Sequence, residues 1–169
     1  GRDIILEGAE KWIFEKTQNG EVKINLKNEG LGEKILLRND GTSIYITQDI
    51  FLAKIKFEDY NIDKSFYVVG NEQEYHFKVL FSILKKLDFG EKEMKHISYG
   101  MVALPEGKMK SREGNVVDAD DLIENVRIIA EKELVKRGKL SKTELKKRSI
   151  TIALASIKYL LLKTDIRKD

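Results

Sequence analysis

The sequence contains no cysteine and only two histidines, His76 and His96. The first absence excludes disulfides and thiolate metal sites. The second leaves too little to build a histidine zinc centre, so no metal ligands are expected. No apolar run reaches the length that crosses a bilayer, and the first residues lack a secretory-signal pattern. The chain is therefore read as soluble and cytoplasmic, without a membrane partner. Standard phosphate loops are missing as well. Gly30-Leu31-Gly32 continues to Ile35 where a dinucleotide fingerprint needs its third glycine, and Gly107-Lys108 is followed by Met109 rather than Ser or Thr. With no Ser-His-Asp set and no His–Cys pair, covalent hydrolase chemistry finds no support, and dehydrogenase chemistry finds little.

What is present suits a folded protein. Of 169 residues, 41% are hydrophobic, enough for a sizeable core, and 35% are charged, which gives a heavily solvated surface. The length accommodates one domain and part of another. The sequence opens on Gly1-Arg2-Asp3 rather than on methionine, as an excised or tagged chain would. The net charge of +3 is unevenly spread: Glu131–Arg148 holds eight basic and three acidic residues. Such a segment is read either as a solvated helix face or as a footprint for a phosphate backbone.

Along the chain, a short segment at Ala9–Glu15 precedes strand-like alternation at Glu21–Leu26. Lys34–Arg38 and Ser43–Thr47 read as strands joined by Asn39-Asp40-Gly41, which is turn chemistry for a hairpin. Ile50–Phe57 reads as a short helix and Ser65–Val69 as a strand buried on both faces. After Gly70-Asn71, the spacing of Phe77, Leu80, Phe81, Leu84 and Leu87 predicts a helix that Gly90 stops. His96–Ala103 reads as a strand and 104–115 as a loop. Strand, helix and strand over Ser65–Ala103 make one parallel crossover unit, hence an α/β fold, although a doubly wound domain needs two such halves. Asp118 caps a further helix with Leu122, Val126, Ile129 and Leu134 on one face and Gly138 at its end. Ser141-Lys142-Thr143-Glu144 is a capping box with a Leu140/Leu145 staple, opening a last helix with Ile150, Leu154, Ile157 and Leu161 on one face.

Several residues have two readings. Counted at about 100° per residue, Gln73 falls on the stripe of Phe77, Leu80 and Leu84. A polar group there either bonds to backbone or faces a ligand at the carboxyl end of a strand, where open α/β sheets bind. His76 lies off that stripe and reads as a partly exposed surface histidine. Ser43, Tyr45 and Thr47 share one strand face, with Asp49 just beyond. A Tyr hydroxyl and an Asp carboxylate there could hold a cation, or Asp49 could cap a helix. Lys108, Lys110 and Arg112 alternate between Gly107 and Gly114. That loop is read as an exposed basic loop or as a clamp for a polyphosphate.

Three blocks, in order, resemble the arginyl-tRNA synthetase family of class I enzymes. Asp40-Gly41-Thr42-Ser43-Ile44-Tyr45-Ile46-Thr47-Gln48-Asp49-Ile50 is similar to its arginine motif, Val69-Gly70-Asn71-Glu72-Gln73-Glu74-Tyr75-His76-Phe77 to the next block, and Lys108-Met109-Lys110-Ser111-Arg112-Glu113-Gly114-Asn115 to its KMSKS-type loop. The resemblance runs from about Ala9 to the C-terminus. It implies that Tyr45, Asp49 and Gln73 recognise arginine. It implies that Gly70, His76, Val102 and Met109 border ATP, and that Lys108, Lys110, Ser111 and Arg112 stabilise the phosphates. ATP with Mg2+, arginine and tRNA(Arg) are the implied substrates and partners.

The loop departs from the family in placing Ser111 where a lysine is expected. No His-Ile-Gly-His-like motif occurs in the sequence. The implied architecture is the second half of a Rossmann-like catalytic domain over residues 1–117. A helical connection toward an anticodon-binding domain would follow over 118–169. Such a piece is expected to be inactive without the first half. The rival readings are another class I synthetase and a non-catalytic RNA-binding module.

Overall fold

A computed structural model describes residues 1–89, 91–100, 103–104, 107–108 and 117–163. They fall into two units, Gly1–Tyr99 and Gly100–Asp169. The first unit begins with helix α1 (Arg2–Glu10), which ends at a tight turn where Trp12 takes φ 60°. A three-stranded antiparallel sheet follows: β1 (Glu15–Lys16), β2 (Val22–Asn25) and β3 (Glu33–Leu37). Alternation in β2 is obeyed, with Val22 and Ile24 buried and Lys23 and Asn25 turned outward. Gly8 in α1 lies against the ring of Phe14, where a Cβ would come within 2.4 Å of a ring carbon.

The expected turn forms after β3. Gly41 takes φ 77°, its N–H donates to the Arg38 carbonyl at 2.8 Å, and the Arg38 N–H donates to the Thr42 carbonyl at 3.0 Å. The Asp40 carboxylate accepts from the N–H and the hydroxyl of Thr42, at 2.9 and 2.7 Å. The returning strand does not form. Pairing stops after a single bridge, Leu37 to Ser43, and the chain enters helix α2 (Tyr45–Tyr60). The expected strand at Ser43–Thr47 and the short helix at Ile50–Phe57 are thus one long helix from Tyr45. The reason is the longer period: Ile46, Ile50, Ala53 and Phe57 make a buried stripe about three turns long, whereas alternation offers only Ile44 and Ile46.

Strand β4 (Lys64–Gly70) pairs in parallel with β5 (Glu93–Tyr99), in register from Lys64↔Glu93 to Gly70↔Tyr99. Between them run a 3₁₀ turn (Asn71–Gln73), helix α3 (Glu74–Leu84) and a loose last turn in which Asp88 takes φ 65°. The crossover unit is therefore present. Gly90, expected as its stop, lies outside the described residues. β4 is not buried on both faces: Ser65, Tyr67 and Val69 face the helices, while Phe66 and Val68 are 52% and 65% exposed. The core joins Ile5, Val22, Ile24, Leu36, Leu37, Ile46, Ile50 and Phe57 to Phe77, Leu80, Ile83 and Leu84. Each fully buried side chain of this size contributes about 1.5–3 kcal/mol.

In the second unit, β6 (Ala103–Leu104) pairs antiparallel with β7 (Gly107–Lys108), inside a stretch read as loop. Helix α4 (Ala119–Arg137) is capped as expected, the Asp118 carboxylate accepting from the Asp120 N–H at 2.8 Å. Helix α5 (Lys142–Lys163) packs on it through Ala130, Ser149 and Ala153. Only half of the capping box forms. The Glu144 N–H donates to Ser141 Oγ at 3.2 Å, but the Glu144 carboxylate turns to Arg148 at 2.9 Å. Of the residues expected on the helix faces, Leu122, Ile129, Leu154 and Leu161 are exposed.

One buried bond ties helix α2 to the sheet: the Thr47 hydroxyl, fully buried, donates to the Leu36 carbonyl. Leu36 is the residue skipped where the β2–β3 register shifts. Thr47→Val keeps the shape and removes the donor, so unfolding in urea should lose about 1–3 kcal/mol of stability. An unchanged midpoint would show that the hydroxyl does not hold this junction.

Candidate active site

Helix α2 and the start of α3 meet at the carboxyl end of the parallel strand pair. Gly70 closes β4 and is buried, so the chain turns tightly into the 3₁₀ turn and then into α3. His76 stands in the first turn of α3 and Asp49 in the second turn of α2. The His76 Nε2 lies 2.7 Å from Asp49 Oδ2, with the two side chains 23% and 38% exposed. The aromatic ring of Phe77 meets the His76 imidazole edge-on, with ring centres 5.6 Å apart. A carboxylate is thereby held at the rim of the core, open to solvent on one side.

Tyr45 and Asp49 are one turn apart on α2, an i, i+4 pair on the same face. Their proximity is helical, not the strand-end arrangement expected. Tyr45 is 81% exposed, at the first residue of the helix. Gln73 does not sit on the buried stripe. It is exposed, at the N-cap of α3. The 100° count fails because the residues before Glu74 form a 3₁₀ turn, with 120° per residue, and the stripe starts only at Phe77. His76 is partly exposed, as read, but its ring is engaged by Asp49.

Beneath this rim, Tyr67 of β4 packs on Phe77 and Phe81, with ring centres at 5.0 and 5.4 Å, and Lys56 Nζ lies 4.6 Å from its ring centre. Burial, joined by the charge of Asp49, pushes the Tyr67 phenol above its ordinary value of 10, against a smaller opposing effect of the Ser65 hydroxyl. In the neighbouring strand, His96 Nε2 is 2.9 Å from the Val69 carbonyl, and its ring lies 4.6 Å from Phe77. Sequence reasoning missed Thr47 and Tyr67. Thr47 was counted on a polar strand face, and Tyr67 sat inside an apolar strand where nothing marked its hydroxyl. Of the loop residues, Lys108 stands in β7, described by its backbone alone. Val102, Met109, Lys110, Ser111 and Arg112 lie outside the described residues.

Residues 3–169 match the family model for the catalytic domain of class I (R) tRNA synthetases. An arginine–tRNA ligase of Bacteroides thetaiotaomicron is 52% identical over 173 residues, covering 100% of this chain and 29% of that protein. One from Porphyromonas gingivalis is 51% identical over 174 residues, with the same coverage of both chains. The chain thus spans less than a third of the length of these relatives. Among solved structures, the arginyl-tRNA synthetase of Plasmodium falciparum superposes with a TM-score of 0.75 over 99% of this chain and 28% of that one, at 18% identity. That likeness is one of fold.

Among the six tyrosines, the environment of Tyr67 makes a spectroscopic prediction. An alkaline absorbance titration should show one phenol ionising later than the rest, and Tyr67→Phe should remove that late phase. Because the folded state holds this proton more tightly than the unfolded state, stability should begin to fall as pH rises above about 10. A late phase that persists in Tyr67→Phe would contradict the assignment.

Proposed function

This chain belongs to the class I (R) tRNA synthetase catalytic-domain family, and from that premise we propose that it supplies the arginine-binding part of an arginine–tRNA ligase. In that reaction a carboxylate oxygen of arginine attacks the α-phosphorus of ATP, the bond to the bridging oxygen breaks, and pyrophosphate leaves. A terminal ribose hydroxyl of tRNA(Arg) then takes the arginyl group from the adenylate and AMP departs. The observation that carries the reading is the half-exposed Asp49 carboxylate, held at the carboxyl end of β4 beside the start of α3.

A guanidinium is planar and presents several N–H donors, so it suits a carboxylate flanked by oriented oxygens, while the compact ammonium of lysine would leave some of them unpaired. Asp49 supplies the charge, and Tyr45 and Gln73, exposed at the first residue of α2 and the N-cap of α3, supply neutral polar atoms. Gly70, Val102 and Met109 border the nucleotide in this reading, and Lys108, Lys110, Ser111 and Arg112 offset charge on the departing pyrophosphate. Magnesium would enter on the triphosphate as part of the substrate. Among the described residues no group of three or more acidic or histidine side chains is arranged to hold a metal ion. Adenylate formation is proposed to need a His-Ile-Gly-His-bearing half in addition to this chain.

The connection between α4 and α5 favours an RNA partner. Glu131, Glu133 and Glu144 are each paired within their helices, to Arg127, Lys136 and Arg148. Lys132, Arg137, Lys139, Lys142, Lys146 and Lys147 are exposed, and none forms a salt bridge among the described residues, although Lys146 lies close enough to Glu124 to help Arg127 hold that carboxyl below its ordinary value. We assign this surface to tRNA phosphates.

Two outcomes are expected. Calorimetric titration should show arginine binding that lysine does not reproduce, and Asp49→Ala should weaken it about tenfold to a hundredfold, the loss of one charge-assisted contact. Equal binding of lysine would defeat the arginine assignment. Binding of tRNA should weaken with salt, and replacing Lys142, Lys146 and Lys147 by alanine should reduce the log–log slope by about 2–3. A slope that does not change would remove these lysines from the interface.

A further inference from the structure

We infer that His76 is a positioning residue for the cation-binding carboxylate of Asp49, and that its partner is the arginine side rather than the nucleotide side of the site. The inference deepens the functional reading above and rests on it. Its observation is independent of the resemblance: the only described side chain hydrogen-bonded or ion-paired to Asp49 is the imidazole of His76, at 2.7 Å from Oδ2.

The chemistry of the pair explains why a histidine serves here. An Asp carboxylate has a broad, soft terminal torsion, so an unheld one presents its two oxygens in many orientations. In the neutral imidazole, one ring nitrogen donates and the other accepts. With its proton on Nε2, His76 donates to Oδ2, fixes the plane of the carboxylate and leaves Oδ1 to face a ligand. A lysine or arginine in this place would orient the carboxylate too, but it would neutralise the charge that the incoming guanidinium needs. Among the described residues no lysine or arginine is ion-paired to Asp49. The imidazole is itself held. It projects from the first turn of α3, its ring meets Phe77 edge-on, and Phe77 is anchored in the core against Tyr67, Phe81 and His96. Orientation thus passes from the core through the ring to the carboxylate, as a supporting hydrogen bond orients a metal ligand.

Glutamine and asparagine separate this role from simple space filling. A glutamine at position 76 places an N–H close to the position of Nε2, and an asparagine places one at the position of Nδ1. In the 169-residue chain, His76→Gln should keep arginine affinity within about threefold, while His76→Asn should weaken it about tenfold and leave ATP affinity unchanged. In an Asp49→Ala background, His76→Asn should cause no further loss. Thermal unfolding of each variant shows whether it is folded. Arginine affinity unchanged in His76→Asn, or a loss that falls on ATP instead, overturns the inference.

A second readout needs no ligand. Long-range ¹⁵N–¹H NMR correlations should show the His76 ring protonated on Nε2 and the tautomer population shifting in Asp49→Ala. If the wild-type chain binds no arginine but the ring responds to Asp49→Ala, the positioning stands and the arginine reading falls. A ring indifferent to Asp49→Ala overturns the positioning itself.

Discussion

The junction between β3 and α2 is the constraint on which the rest of the first unit depends. A bulge leaves Leu36 out of the strand register, and a buried carbonyl without a donor costs about 1–3 kcal/mol. Thr47 supplies that donor from the first turn of the next helix. The same bond pins the first turn of α2 to the sheet. Ile46 and Ile50 then point into the core, and Asp49 emerges at its rim. A helix begun one residue later would carry Asp49 to a different face.

From that junction the site is assembled by two helices of different origin. Helix α2 leaves an antiparallel sheet, whereas α3 is the crossover between two parallel strands. Their packing brings a carboxylate from one against an imidazole from the other, 27 residues apart in sequence. The parallel pair contributes the position: its carboxyl end is where the backbone turns away and leaves a crevice. The aromatic cluster of Tyr67, Phe77 and Phe81 contributes rigidity below it. The outer face of the pair leaves Phe66, Val68, Ile97 and Tyr99 exposed beside Lys64, Glu93 and Lys95, whereas parallel sheets are ordinarily covered on both faces.

Elements governed by local chemistry were legible beforehand. The Asn39-Asp40-Gly41 turn, the Asp118 cap and the Ser141 cap follow from side chains bonding to backbone within three residues, and each appears in place. The helix over Phe77–Leu84 was legible because its apolar period is long. Errors gathered where two periods overlapped. Around Tyr45, alternation and helical spacing share Ile46, and only the continuation to Phe57 distinguishes strand from helix. At Gln73 a helical count points to the buried stripe, because the 3₁₀ turn that breaks the count leaves no mark in the sequence.

The residues themselves determined that this chain carries no thiol chemistry and that it contains a strand–helix–strand crossover, because composition and period are properties of the chain alone, and three ordered motifs carry its resemblance to one synthetase family. Which atoms meet was decided only in three dimensions. Neither Asp49 nor His76 announces the other, nor does Thr47 announce Leu36. A contact between residues far apart in sequence depends on how helices are rotated about their axes, and that rotation is set by packing the whole core at once.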